Sequence, residues 1–233
     1  MNREKSGLRT LKKKILELLN NNDLEKSIVK ILELPARQVV NPLFSFLYNA
    51  DELLKCKAVT AMGAVVSNLA DHNMESARII MRRLLWNLND ESGGIGWGSP
   101  EAMGEIMACH EKLAEEYSSI LISYIREGGT FIENEELQKG VLWGIGRIAH
   151  VKPLLVKDAV QLLLPFMESQ HPTSRGLTAW TLGALEDKSA MPALKCLSKD
   201  NTIIRIFLER HLVDCQLSEL ALEAMSCIEN KQP

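Results

Sequence analysis

Two stretches, Val141-Leu-Trp-Gly-Ile-Gly146 and Thr178-Ala-Trp-Thr-Leu-Gly183, run through apolar residues and a tryptophan to a closing glycine. Looser copies stand at Ala58-Val-Thr-Ala-Met-Gly63 and Ser99-Pro-Glu-Ala-Met-Gly104, so the closing glycines lie 41, 42 and 37 residues apart. After each glycine the apolar pattern continues at helical spacing (Val65 and Val66, Ile106 and Met107, Ile148 and Ala149, Leu185). A second apolar helix is predicted behind each, around Ala77–Leu88, Ile120–Ile125, Leu154–Met167 and Ala190–Leu197. Two amphipathic helices recurring about every 40 residues are the pattern of a helical solenoid, whose units bury their apolar faces only by stacking. No alternating run bounded by turn residues stands out, so no strands are expected.

Composition agrees. Of 233 residues, 46% are hydrophobic, 24% charged and only 5% aromatic, which excludes disorder and disfavours an all-β fold. There is no run of 18 apolar residues, and the charged start Met1-Asn2-Arg3-Glu4-Lys5-Ser6 has no apolar segment of a signal peptide, so neither membrane insertion nor export is expected. The five cysteines (Cys56, Cys109, Cys196, Cys215, Cys227) form no Cys-x-x-Cys pair and read as small hydrophobes of a reducing, cytoplasmic protein. Ten acids and two bases lie between Glu91 and Glu136, a net of −8 against −3 for the whole chain, which argues against a phosphate backbone as partner.

The segment Ser174-Arg-Gly-Leu-Thr-Ala-Trp-Thr-Leu-Gly-Ala-Leu-Glu-Asp-Lys-Ser-Ala-Met-Pro-Ala-Leu-Lys-Cys-Leu-Ser-Lys-Asp200 resembles one unit of the HEAT-like repeats named after phycobilisome lyases. The Ala-Trp-x-Leu-Gly core, the turn at Asp187, Pro192 opening the second helix and the closing Asp200 carry the likeness. It implies an all-α fold, a right-handed α-solenoid of antiparallel helix pairs of HEAT-like or armadillo type. Residues 55–200 hold the recognisable repeats; 1–54 and 201–233 are expected to be helical caps of one continuous domain, the last helix running over Ile203–Ile228.

With each glycine as position zero and 100° per residue, positions −3 and +1 fall opposite the apolar face and are expected to point outward. They hold Thr60, Glu101, Trp143 and Trp180, and Ala64, Glu105, Arg147 and Ala184; Trp97 and Lys139 precede them by a turn and His150 follows. Large aromatics beside charges on an outer stripe mark a contact surface. A patch of Trp97, Glu101, Glu105, Trp143, Arg147 and Trp180, rimmed by Lys139 and His150, is therefore expected to bind a protein, a peptide or a small cofactor as partner. The competing reading is a tryptophan at −3 wedged against the neighbouring helix, with Glu105 and Arg147 as an ordinary ion pair. Beside the patch, Gly93, Gly94, Gly96 and Gly98 permit close backbone approach, with Ser99 as N-cap, Pro100 at the first helical position and Glu101 in the first turn.

Catalytic patterns fail. The histidines (His72, His110, His150, His171, His211) include no His-x-x-x-His, no nucleophile elbow occurs, and no metal or cofactor is expected. Two enzymatic readings stay open. A HEAT-like alkylpurine DNA glycosylase would use Trp97, Glu101, Trp143 and Trp180 to hold a cationic base. A bilin-attachment factor could pair Arg78, Arg82 and Arg83 with pigment propionates.

Overall fold

The computed structural model describes residues 2–89 and 96–230. It contains twelve α-helices and one two-stranded hairpin among them, in two compact units that divide after His110.

In the first unit, α1 (Asn2–Leu19), α2 (Leu24–Leu32) and α3 (Ala36–Leu47) precede the long α4 (Glu52–His72), followed by α5 (Met74–Asn89) and α6 (Ser99–Cys109). Asp23 and Asp51 begin α2 and α4 by accepting the backbone N–H groups of Lys26 and Leu54, donors that a helix start leaves unmatched. By length and composition α4 is the one described helix that could cross a membrane. Here it is the central helix of its unit, packed against α3, α5 and α6, with Met62, Val65 and Val66 fully or almost fully buried.

The second unit contains α7 (Glu111–Ser123), α8 (Glu135–Ala149), the four-residue α9 (Val160–Leu163), α10 (Pro172–Leu185), α11 (Met191–Leu197) and α12 (Leu217–Asn230). Helix α10 lies between α8 and α12. The second helix expected over Leu154–Met167 is broken into short 3₁₀ turns around α9. Pro153 and Pro165 lack the N–H groups that a continuous helix would need there.

The C-terminal cap also departs from the expected single helix. Strand β1 (Ile203–Leu208) pairs antiparallel with β2 (His211–Gln216) before α12 begins. Ile204 and Ile206 face inward, while Arg205 faces outward and grips Asp214 across the pair through two hydrogen bonds of 2.7 and 2.9 Å. The turn places Glu209 and Arg210 at φ 45° and 68°, the geometry of a two-residue hairpin turn made without glycine.

The repeated glycines Gly63, Gly104, Gly146 and Gly183 fall within α4, α6, α8 and α10. A Cβ on Gly63 would come within 2.5 Å of Glu105 Cγ on α6, and one on Gly183 within 2.8 Å of the Ala224 Cα on α12. A Cβ on Gly146 would collide with Trp180 and Thr181 of α10. Each of these three glycines therefore marks the point where one helix of the series meets the next. In an open helix interior Gly→Ala gains about 1 kcal/mol; at these seams overpacking reverses the sign. Gly183→Ala and Gly146→Ala are expected to lose roughly 1–3 kcal/mol in chemical denaturation. Gly129→Ala, whose Cβ would sit at an ordinary 3.6 Å from the Arg126 carbonyl oxygen, serves as the near-neutral control.

Candidate functional site

The stripe expected to face outward is instead largely the seam. Glu105, at position +1, is only 4% exposed because its side chain fills the notch left by Gly63. Glu101, at −3, turns to α4, with Oε1 3.5 Å from Lys55 Nζ. Burial lowers the Lys55 pKa, but the negative charges of Glu101, Cys56 and Glu52 and the hydrogen bond to Glu101 together outweigh it, and the lysine pKa rises. Neighbouring Cys56 is pushed up to about 12, chiefly by burial, so its thiol is inert.

Trp97 lies just before α6 and remains 44% exposed. The helix cap is Gly98, in the left-handed region at φ 73°, where an added Cβ would strike the Leu47 carbonyl; Ser99 is thus the first helical residue, not the N-cap. Ser99 Oγ is buried and has no hydrogen-bond partner among the described residues. Gly96 presses on the Asn87 carbonyl in the same way, while Gly93 and Gly94 lie outside the described residues.

In the second unit Trp143 is 8% exposed, against the outward position expected. Its indole Nε1–H donates to the Phe207 carbonyl oxygen at 2.7 Å, and its ring lies 6.2 Å from that of Phe207, so the hairpin covers it. Lys139 is occupied by Glu135 and Glu136 of its own helix, at 2.5 and 3.0 Å. Arg147 is partly buried one turn before His150. Of the residues suggested to hold a base, Trp143 is internal and Glu101 is turned to Lys55 of α4. The arginines suggested for pigment propionates are engaged within the first unit. Arg78 and Arg82 bridge to Glu75, while Arg83 binds Asn41 at 2.6 Å and covers the Phe44 ring.

Two predicted residues do come together. The rings of His150 and Trp180 stack with centroids 4.4 Å apart and planes 23° from parallel. They form one wall of an apolar groove with a cavity volume of about 330 Å³. Gly183, Ala184 and Ala224 keep it free of bulk, and Glu186 and Glu223 also line it. A smaller recess of about 110 Å³ shares Pro153, Ala184 and Glu186 and extends the groove to Leu154, which is 84% exposed. The motif signal identified Trp180 and His150; Glu186, Glu223 and Leu154 carried no motif signal because they sit in a turn, an assumed cap and a broken helix.

Against known proteins, residues 135–185, spanning α8 to α10, match the model of the HEAT-like repeat. Among solved structures, the chain superimposes on a designed armadillo repeat protein in complex with the peptide (KR)4 (TM-score 0.53, 18% identity, 92% of this chain and 98% of that one). It also superimposes on yeast importin-beta (Kap95p) (TM-score 0.61, 14% identity), covering 97% of this chain but 29% of that longer one. The fold is thus an all-α solenoid of HEAT and armadillo type. An uncharacterized protein of Archaeoglobus fulgidus is 30% identical over 185 residues, which is 78% of this chain and 92% of the relative. The chain belongs to the same family as that archaeal protein, and its residues 135–185 match the HEAT-like repeat.

Two measurements test this geometry. Trp143→Phe keeps most of the packing but strips the Phe207 carbonyl of its donor, an expected loss of roughly 1–3 kcal/mol with faster amide exchange in the hairpin. For His150, burial holds the pKa below the ordinary 6.5, with Arg147 adding to the shift and a Trp180 backbone hydrogen bond and Glu209 opposing it. The unfolded chain therefore takes up the proton first as pH falls. Stability from this residue is complete above about 6.5 and declines towards its folded pKa. His150→Phe is expected to lose less stability than the parent between pH 7 and pH 5, and an NMR titration of His150 should show its midpoint below 6.5.

Proposed function

We propose that the protein is a non-catalytic binding module that holds a segment of a partner protein in the groove beside His150 and Trp180. The repeat fold supports this, because stacked helix pairs present long surfaces that few side chains are needed to adapt. The designed armadillo protein that it resembles is in complex with a peptide, and a peptide is the partner class the groove suits by size and lining. The observation that carries the reading is the groove itself: a half-open aromatic pair, a run of small residues and an exposed leucine on one continuous surface. Half-buried aromatics of this kind anchor interfaces at roughly 2 kcal/mol or more each. Trp97, with its neighbouring glycines, belongs to the first unit and is a separate exposed aromatic.

Site-specific photo-crosslinking tests the proposal. A photoreactive residue in place of Leu154 is expected to trap a discrete protein in the native host. The same residue in place of exposed Glu115 on α7 should not. No adduct at Leu154, or the same adducts at both positions, would reject the groove as the contact surface.

A further inference from the structure

We infer that the outer edge of β2 docks a second copy of this chain. The two β2 strands pair antiparallel about a two-fold axis at Val213 and join two hairpins into one sheet. β1 lies on the body of its unit, with three of its six residues buried, whereas no residue of β2 is buried. The unbroken register and the two-residue turn fix which backbone groups point where. Leu208 and His211, which close the turn, exchange hydrogen bonds with each other. By alternation the pairs Phe207 with Leu212, Arg205 with Asp214, and Ile203 with Gln216 turn their N–H and C=O groups away from the paired strand.

Two contacts agree with that alternation. The outward Phe207 carbonyl on β1 accepts the Trp143 indole N–H, and the outward Gln216 N–H on β2 donates to Glu219 Oε2 at 3.0 Å. The outward N–H and C=O groups of Leu212 and Asp214 are left without hydrogen-bond partners among the described residues. The devices that commonly blunt such an edge are missing from it, since His211–Gln216 contains no proline, no lysine and no bulge.

The exposed pattern is complementary to itself. With Val213 against Val213 of the second copy, Leu212 stands opposite the second copy's Asp214 on both sides of the axis, and each such pair exchanges both of its N–H···O bonds. Shifting the register by two residues loses this match. One shift sets Asp214 directly against Asp214, and the other sets it against Arg210, whose backbone at φ 68° cannot continue a strand. The charge at the edge is balanced within each copy. Arg205 holds Asp214 through two hydrogen bonds and keeps its carboxyl below the usual carboxylate range. Two copies therefore meet without net charge between them, with a β-branched apolar pair at the centre. β2 supplies none of the residues lining the groove, so this dimer is independent of the groove reading.

Analytical ultracentrifugation and disulfide trapping of the whole protein test the inference. A concentration-dependent dimer is expected. Asp214→Pro deletes an outward N–H but none of the hairpin's own bonds, and should weaken the dimer about tenfold or more. Asp214→Asn keeps that N–H and should dimerise within a few-fold of the parent. The Trp143 indole N–H signal in NMR reports whether the hairpin still covers Trp143 in each variant. Separately, Val213→Cys treated with oxidised glutathione should yield a 213–213 link, identified by peptide mass spectrometry, because opposed residues of a non-hydrogen-bonded pair lie within disulfide reach. Leu212→Cys, set diagonally across the axis, should form no 212–212 link. A monomer at every concentration, a dimer indifferent to Asp214→Pro with the Trp143 signal kept, or links formed equally at 212 and 213 would overturn the assignment. If Asp214→Pro abolishes the Trp143 signal, the Val213→Cys link decides: its presence supports the edge pairing and its absence rejects it.

Discussion

The contact between a glycine on one helix and whatever fills its notch on the following helix governs how these helices stack. Without a Cβ at Gly63, Gly146 and Gly183, the facing helix comes close enough that a methyl group would have no room. The filler differs at each seam: a glutamate stem at the first, a tryptophan and a threonine at the second, and bare alanine backbone at the third. A single repeated position thus accommodates three different partners, which explains why the glycine recurs while the residues around it do not. The third seam has a further consequence. Gly183 and Ala224 approach closely and carry little side-chain volume, so the taller Trp180, His150 and Glu223 around them leave a depression. The smallness that permits the packing also forms the groove.

The repeat period, the helical character and the glycine register were legible in the sequence because each rests on local periodicity. The direction of the polar stripe was not. A helical wheel separates apolar from polar positions, but it cannot tell water from the side of another helix. Trp180 and Glu105 show why the distinction is hard. Both are large and partly polar, and such residues suit a seam as well as a surface, provided their polar atoms find partners. The reading of a −3 aromatic wedged against the neighbouring helix describes Trp180 against Gly146, and Glu105 occupies its seam in the same manner.

The remaining differences come from local signals that were weak or overridden. The hairpin was unread because its turn uses Glu209 and Arg210 in the left-handed region, where asparagine or glycine would have marked it. Its alternation was nevertheless present: Ile204 and Ile206 point inward on either side of Arg205. At the start of α6, Ser99 had the right chemistry for a cap, but Gly98 could take the left-handed conformation and approach Leu47, so the helix began one residue earlier than the side chains implied. Glu186 shows the converse, a left-handed helix end without the glycine that usually announces it.

The hairpin links these observations to the contact surface. The two motif tryptophans are equivalent in sequence but not in environment, because β1 lies over one of them. Trp143 is sealed by Phe207, its single donor committed to a backbone carbonyl, and it can contribute only packing. Trp180 has no such cover and stacks on His150 at the edge of the groove. The turn of the same hairpin places the Glu209 charge in the field of that histidine. An insertion of fourteen residues between helices therefore converts a repeating stripe into one buried aromatic and one half-open aromatic. Specific recognition in a repeat protein requires this kind of break in equivalence: identical positions would offer a partner several registers, whereas a single half-open tryptophan offers one.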